Sequence, residues 1–209
     1  MTMNVLLKNL YLDKKVFITS EELHIYTRRL KANYPNSIRY LMSRGYIVRI
    51  FRGIFYVRDL NELKLGSERY SYTELVAKGM DLKNVKAWYF GLHSALKFNN
   101  MTHENFGIDE IMSSSLFRSN AVKIAGHSFK FYKISSKLLN FGIVNSNNIR
   151  YSDKEKTILD FMYIWRYNGV PDDKILADIS EWSKGIDRKK LKTYAVNYTK
   201  SIAKMMDRV

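Results

Sequence analysis

The chain lacks cysteine altogether and contains only two prolines and four histidines among its 209 residues. The absence of cysteine excludes a disulfide framework and a thiolate metal site. The isolated histidines His103 and His127 have no further ligands at metal-binding spacing, so the sequence predicts no metal site. No apolar run approaches the ~20 residues that cross a bilayer. The N-terminal stretch MTMNVLLKNLYLDKK does not place a basic region before an apolar one, as a secretory signal would. We therefore expect a cytoplasmic protein that has no membrane partner.

Catalytic motifs are missing as well. The chain has no Gly-rich loop for phosphates and no evident pair of nucleophile and base. His93 adjoins Ser94, but neighbouring side chains on a helix point about 100° apart, and no acidic residue lies near them in the sequence to orient the imidazole. The triplet Glu62-Leu63-Lys64 lacks the upstream Asp of a restriction-type nuclease, so we interpret it as solvated linker charge. We therefore predict that the protein is not an enzyme and uses no cofactor.

A further charged group, formed by Glu155, Lys156 and Asp160, lies on one predicted helix. Lys156 and Asp160 are four residues apart, which places them on the same helical face. Glu155 follows Ser152 by three residues, a spacing that predicts a capping box. We interpret this group as a helix cap and an intrahelical ion pair rather than as a catalytic cluster.

Positive charge is abundant and unevenly distributed. The chain holds 35 Lys and Arg against 20 Asp and Glu, a net charge of +15. Residues 1–58 hold 11 basic and 3 acidic residues, a net +8, whereas the much longer stretch 59–209 holds a net +7. Such a concentration of positive charge is typical of a surface that contacts nucleic-acid phosphates.

The basic region has the periodicity of two helices followed by a hairpin. Thr19 and Glu22 form a predicted capping box, and an apolar stripe at helical spacing follows them. A turn at residues 32–34 leads to Pro35, which suits the first turn of a second helix, and Gly45 ends that helix. The second helix is predicted to bury Ile38, Leu41 and Met42. The apolar runs 46–50 and 54–57, separated by Phe51-Arg52-Gly53, predict a two-stranded wing.

This order of elements indicates a winged helix-turn-helix, a fold that binds double-stranded DNA. We predict that Asn36, Ser37, Arg39 and Tyr40 approach base edges in the major groove. Arg44, Arg49 and Arg52 are predicted to contact phosphates or the minor groove, and Ser43, Arg28 and Lys31 complete the predicted DNA-binding set.

The remainder of the chain predicts a second domain, which makes the whole an α+β protein. The polar stretch 59–71 is the predicted boundary, with the winged helix-turn-helix at 1–60 and an α+β effector domain at 61–209. The predicted elements of the second domain are helices at 72–79 and 88–98, three to five strands between 108 and 144, a helix starting at Ser152, a helix from Pro171 to Trp182, and a last helix at 188–206.

Three stretches together are similar to the AbiEi antitoxins of type IV toxin–antitoxin systems. They are the wing with Arg52-Gly53-Ile54-Phe55-Tyr56, the segment from Trp88 to Phe98, and Glu155-Lys156-Thr157-Ile158-Leu159-Asp160. The resemblance covers about residues 5–168. It implies a repressor that binds inverted repeats in its own promoter and counters a nucleotidyltransferase-like toxin, without a stable complex with that toxin.

Two alternatives stay open on the residues alone. One is a winged-helix transcriptional regulator whose second domain binds a ligand or a partner protein and has no antitoxin role. The other is a nucleic-acid-processing enzyme. The sequence also leaves open the operator, the toxin, and whether the protein binds DNA as a monomer or a dimer.

Overall fold

The computed structural model describes residues 2–208, with side chains from Asn4 onward, and it divides into two compact units. The first unit comprises residues 1–84 and 123–126, and the second comprises 85–122 and 127–209. Along the described residues the chain forms ten α-helices, nine strands and one short 3₁₀ helix, in a three-stranded and a six-stranded sheet. The predicted α+β class is confirmed. No helix among the described residues is both long and apolar enough to cross a membrane.

The first unit follows the predicted order of helix, helix and hairpin. Its elements are α1 (Thr2–Leu12), β1 (Phe17–Thr19), α2 (Ser20–Arg29), α3 (Tyr34–Ser43), β2 (Ile47–Phe51), β3 (Ile54–Val57), α4 (Leu60–Leu65) and α5 (Tyr72–Leu82). The wing strands β2 and β3 pair antiparallel, and β1 pairs antiparallel with β3 on its other side. The predicted capping box of α2 is present, because Thr19 and Glu22 exchange side-chain and backbone hydrogen bonds.

A small apolar core joins the three helices to the sheet. It consists of Leu6, Leu10, Ile18, Leu23, Leu41, Ile47, Phe55 and Val57. Burying aliphatic and aromatic side chains stabilises each by about 1.5–3 kcal/mol, and these eight come from six different elements. The core therefore fixes α3 and the wing within one compact unit.

The predicted linker is structured and belongs to the first unit, which reaches Asn84 rather than residue 60. Glu62 is buried, and its Oε1 accepts hydrogen bonds from the Tyr56 hydroxyl (2.5 Å) and the Arg69 N–H (2.7 Å). The interpretation of Glu62 as solvated linker charge was wrong, because this carboxylate satisfies donors of the folded unit. Gly79 lets α5 approach the wing, since a Cβ there would lie 2.6 Å from the ring of Phe51.

The second unit is built on five strands of the mixed sheet, in the order β7-β5-β4-β9-β8. These strands are β4 (Trp88–Phe90), β5 (Ile108–Ser113), β7 (His127–Lys133), β8 (Ile143–Ser146) and β9 (Ile149–Ser152), while the short strand β6 (Val122–Ile124) falls at the division of the chain between the two units. The helices of the second unit are α6 (Leu92–Phe98), α7 (Lys154–Tyr167), α8 (Asp172–Ile179), α9 (Arg188–Ala195) and α10 (Lys200–Met206), with a 3₁₀ helix at Ser136–Leu139. Strand pairs β4/β5 and β8/β9 are antiparallel, whereas β5/β7 and β4/β9 are parallel.

Several predicted elements of the second unit are corrected by the structure. The predicted helix 88–98 is a buried aromatic strand followed by a shorter helix, because Gly91 takes an extended conformation between them. Asp153, rather than Ser152, caps α7, and its carboxylate accepts the N–H of Lys156. The last predicted helix is two helices, α9 and α10, although Asp187 caps the first of them as predicted. Strand β9 was not predicted.

Candidate nucleic-acid interface

The second helix of the helix-turn-helix, α3, is fixed at its start by local interactions. Asn33 is the N-cap, and its side-chain oxygen accepts the backbone N–H of Asn36 at 3.0 Å. Pro35 occupies the first turn, where a missing N–H costs nothing. The ring of Tyr34 stacks on His24 of α2, with centroids 3.4 Å apart and planes 12° from parallel. These three interactions fix where α3 begins relative to α2.

The outward face of α3 carries most of the predicted base-reading residues. Asn36, Arg39, Ser43 and Arg44 are exposed, while Tyr40 is half-buried with its ring 6.2 Å from that of Tyr46. The Ser43 hydroxyl donates to the Tyr40 carbonyl oxygen at 3.0 Å. These residues form one continuous polar surface on the helix, which is what a major-groove helix requires.

The structure reverses the predicted burial of two residues on α3. Ser37, predicted to face DNA, is fully buried, and its hydroxyl donates to the Asn33 carbonyl oxygen at 2.8 Å. Met42, predicted to be buried, is 37% exposed. The helix starts one residue earlier than expected, at Tyr34, and the small Ser37 side chain packs inward toward the preceding turn. Ser37 is therefore removed from the set of surface residues.

The wing presents its two arginines to solvent. Arg49 is exposed, and its guanidinium lies 5.5 Å from the centroid of the Phe55 ring. Arg52 is exposed in the tight turn between β2 and β3, where Gly53 has a φ of +79° that favours glycine. The Gly53 carbonyl oxygen accepts the Ser20 N–H at 2.8 Å, so the wing tip is tied to the start of α2.

The exposed cations of this surface have no acidic partners. Among the described residues, no ion pair involves Arg28, Arg39, Arg44, Arg49, Arg52 or Lys31, and each of these six is exposed. By contrast, Lys15 and Arg58 of the same unit are paired with Glu22 (2.6 Å) and Glu68 (2.5 Å). The predicted DNA-binding cations therefore form an uncompensated positive surface.

Acidic side chains of the first unit bind hydrogen-bond donors and cations within that unit. Burial alone would raise the pKa of Glu22, but the Lys15 ammonium and the Thr19 N–H outweigh it and hold that pKa below its ordinary value. Burial, together with a hydrogen bond to Asp13, raises the pKa of Tyr26 to about 12, so this phenol is neutral at physiological pH.

The charged group on α7 is sealed in the second unit. Lys156 and Asp160 are both fully buried and form an ion pair at 3.3 Å, as the sequence predicted. Asp160 also accepts the hydroxyl groups of Tyr198 (2.6 Å) and Tyr89 (2.8 Å). Burial lowers the pKa of Lys156 and raises that of Asp160, and each partner opposes the shift of the other. Both side chains of this ion pair are therefore shielded from solvent.

His93 and Ser94 are not hydrogen-bonded to each other, but each has an acidic partner that was not predicted from the sequence. His93 Nδ1 lies 2.8 Å from Oε2 of Glu110, and the Ser94 hydroxyl donates to Oδ1 of Asp109 at 2.8 Å. Burial raises the pKa of Asp109. Both acids lie on β5, next to β4 in the sheet and separated from His93 by a long loop. Only the sheet topology brings these residues together.

Comparisons with known proteins bear on the fold alone. No family model matches the chain, and none of the curated proteins matches it. Among solved structures, the chain is similar to the crystal structure of the RV2827C protein from Mycobacterium tuberculosis. The similarity has a TM-score of 0.60 at 13% identity, over 97% of this chain and 73% of that chain. At this level of identity it indicates a shared fold and assigns no activity.

Proposed function

We propose that this protein is a DNA-binding transcriptional repressor that also acts as the antitoxin of a type IV toxin–antitoxin system. The observation that carries the DNA-binding part is the uncompensated positive surface of α3 and the wing. Exposed cations without acidic partners are free to neutralise phosphates, and this contribution to affinity is large and independent of sequence. A cytoplasmic location belongs to the same proposal, since a bacterial-type repressor acts on the chromosome.

In this proposal α3 enters the major groove and the wing lies along the backbone. Asn36 and Arg39 reach base edges from the exposed face of the helix, and Tyr40 contributes its hydroxyl end. Side-chain amides and guanidinium groups make bidentate hydrogen bonds to bases, each worth about 1–3 kcal/mol of discrimination. Phosphate contacts come from the residues that surround this face, namely Arg28, Lys31, Ser43, Arg44, Arg49 and Arg52.

The antitoxin part of the proposal rests on the resemblance to the AbiEi family. The resemblance extends beyond the DNA-binding unit into the second unit, where it includes the Glu155–Asp160 segment. We therefore assign the countering of a nucleotidyltransferase-like toxin to the second unit and autoregulation at promoter inverted repeats to the first. Contact with the toxin is expected to be transient.

Footprinting of the purified protein on its own upstream region tests the repressor function. The expected result is protection of an inverted repeat, which is lost in the double variant Arg39→Ala/Arg52→Ala. The variant Lys78→Ala, which removes an exposed cation on α5 outside the proposed surface, is the control for net charge. A chain that protects no upstream site at physiological salt would refute the proposal.

Co-expression tests the antitoxin function separately. If a gene beside this one encodes a nucleotidyltransferase-like protein that arrests growth, this protein should restore growth in the same host. Restoration should survive the Arg39→Ala/Arg52→Ala double variant when both genes are driven by foreign promoters. Persistent growth arrest would exclude the antitoxin role and leave the DNA-binding role intact.

The second candidate function is a winged-helix regulator whose second unit binds a small ligand. A cleft beside His93 and Glu110 in that unit favours it. Absence of a toxin-like neighbour, combined with operator binding that responds to a small molecule, would support this function over the antitoxin. Cleavage or modification of DNA by the purified chain would favour an enzyme instead.

A further inference from the structure

A cleft of about 620 Å³ opens on the second unit beside β5 and β7. Its walls combine ring, amide and charged side chains, chiefly His93, Asn105, Phe106, Asn120, Lys130 and Tyr132. Sites for small molecules typically occupy ~300–1,000 Å³ and carry a few convergent polar groups. The cleft therefore has the size and composition of a ligand site, and it lies outside the proposed DNA-binding surface of the first unit.

A buried carboxylate organises one wall of this cleft. Glu110 is only 8% exposed, and it accepts the backbone N–H of His93 (3.1 Å), the His93 Nδ1 (2.8 Å) and the Tyr132 hydroxyl (3.1 Å). Since an ionised carboxylate only accepts hydrogen bonds, Nδ1 carries the proton in this pair. The carboxylate thus fixes the orientation of both rings. Among the described residues, Nε2 of His93 has no hydrogen-bond partner.

Aromatic packing also holds the imidazole of His93 in place. Its centroid lies 4.3 Å from that of Phe106, 5.0 Å from Phe161 and 5.9 Å from Trp182. Phe106 and Tyr132 also line the cleft, so two aromatic rings border its space. A planar heteroaromatic group can stack on such surfaces, and stacking tolerates every base because each has a π-face.

The cleft also contains a cation without an acidic partner. Lys130 lies 5.9 Å from the centroid of the Tyr132 ring and donates only to the backbone carbonyl oxygen of Ser119. Among the described residues no ion pair involves Lys130, although several other lysines of this unit are paired. Its charge is therefore available to an anionic ligand. The exposed amides of Asn105 and Asn120 add donors and acceptors for a polar ring edge.

We propose that this cleft binds a nucleoside monophosphate. The base stacks on Phe106 and Tyr132, the two amides meet its polar edge, and the phosphate meets the ammonium group of Lys130. Covalent catalysis is not part of the proposal, because the Ser94 hydroxyl beside His93 is buried and donates to Asp109. The inference goes beyond the proposed repressor and antitoxin functions and is independent of both.

Isothermal titration of the full chain with AMP, GMP, CMP and UMP tests the proposal. Matched titrations with the four nucleosides and with inorganic phosphate separate the contributions of base and phosphate. At least one nucleotide is expected to bind more tightly than its nucleoside and than phosphate. Lys130→Met should weaken the nucleotide by about tenfold while leaving the nucleoside unchanged, and Phe106→Leu should weaken both, by about fivefold or more.

Two control variants make the result specific to the cleft. Lys137→Met removes an exposed lysine of the 3₁₀ helix outside the cleft and should leave nucleotide affinity unchanged. Arg39→Ala/Arg52→Ala should abolish operator binding and leave nucleotide affinity unchanged, so that failure of either function is visible separately. Unchanged thermal unfolding of each variant confirms that the fold is intact.

Three outcomes would overturn the proposal. The first is no detectable binding of any of the four nucleotides at millimolar concentration. The second is nucleotide binding that disappears with Arg39→Ala/Arg52→Ala, which would place it on the DNA-binding surface. The third is equal binding of inorganic phosphate and nucleotide, which would reduce the cleft to a general anion site.

Discussion

The arginines on α3 and the wing of the first unit differ in their pairing from two lysines of the second unit. In the first unit, Arg39, Arg44 and Arg52 are exposed and take part in no ion pair among the described residues. In the second unit, Lys156 is buried against Asp160, and Lys190 bridges Asp153 (3.0 Å) and Glu155 (2.9 Å). These arginines of α3 and the wing remain unpaired, whereas these two lysines of the second unit are held by carboxylates.

The difference separates charges that bind a ligand from charges that specify a structure. An exposed, unpaired cation contributes little to folding stability but supports association with a polyanion. A buried pair contributes little net stability compared with an apolar pair, yet removing one partner is costly because the other stays charged in a medium of low polarity. Substitutions in the two units should therefore change different measured quantities.

The largest effect is expected from Lys156→Met, which keeps the volume of the side chain and removes its charge. It leaves the Asp160 carboxylate buried without a cation, so we expect a loss of about 3–5 kcal/mol in the free energy of unfolding. Urea unfolding followed by tryptophan fluorescence measures this loss. All three tryptophans, Trp88, Trp165 and Trp182, belong to the second unit, so the signal reports on that unit.

Two further variants decide whether the buried charge is the cause. Lys156→Met/Asp160→Asn removes both charges and should recover a large part of the lost stability. Lys174→Met breaks a comparable pair with Asp178 (3.1 Å) at an exposed position, and it should cost about 0.5 kcal/mol or less. If Lys156→Met proves as mild as Lys174→Met, the distinction between buried and exposed charges drawn here is wrong.

The second effect concerns DNA affinity rather than stability. Arg39→Ala should weaken binding to the operator by about 1–3 kcal/mol and relax the base preference at one position. Arg52→Ala should weaken specific and non-specific binding alike. It should also reduce the slope of log affinity against log salt concentration by about 1, the contribution of one phosphate contact. Fluorescence anisotropy across a salt series, on operator and on scrambled DNA, measures both.

Lys78→Ala is the matched control for the loss of one positive charge, and it should leave the salt dependence nearly unchanged. Neither arginine variant should alter the urea midpoint of the second unit. Affinity and salt slope that are unchanged in both arginine variants would remove α3 and the wing as the DNA-binding surface.

The first unit was largely predictable because its signals are local. The capping box of Thr19 and Glu22, the Pro35 start of α3 and the Gly53 turn each act within a few residues, and all three are present. Their order along the chain was enough to predict the helices and the wing. The failures, at Ser37 and Met42, concern which face of α3 is buried, and this depends on where the helix begins.

The second unit was less predictable because its contacts join distant segments. The apolar run Trp88–Phe90 was predicted to be helical, but it forms a strand because it pairs with β5 and β9. Glu110 reaches His93 across 17 positions of sequence, and Tyr198 reaches Asp160 across 38. Spacing along the chain carries no signal for such pairs, so the cleft beside His93 could only be recognised in the fold.

A smaller, pH-dependent effect is expected from Glu155. Burial alone would raise the pKa of this carboxyl, but the Asp187 N–H (2.9 Å) and the Lys190 ammonium (2.9 Å) hold it below its ordinary 4.5. A lowered native pKa means that the carboxylate adds stability above its ordinary pKa and loses this contribution as pH falls through the native pKa. The ion cluster also contains Asp153, which shares Lys190.

The test compares Glu155→Gln with the wild-type chain by urea unfolding at a series of pH values. The variant should be less stable near neutral pH, and the difference should shrink as pH falls below 4.5, the ordinary value of this group. Glu181→Gln, at an exposed position of the same unit, is the control. A difference that is constant over the whole pH range would show that the charge of Glu155 is not responsible.

The smallest effect is expected at Ser37, and it sharpens the comparison within a single helix. Ser37 and Asn36 are adjacent on α3, but the structure buries the first and exposes the second. Ser37→Ala removes one hydrogen bond to the Asn33 carbonyl oxygen, but alanine is a better helix former than serine. Operator affinity should therefore change by about twofold or less. Asn36→Ala removes an exposed amide suited to adenine and should weaken operator binding while sparing scrambled DNA. Anisotropy titrations of both variants on both DNAs measure the contrast. A larger loss for Ser37→Ala than for Asn36→Ala would mean that α3 presents a different face to DNA from the one proposed here.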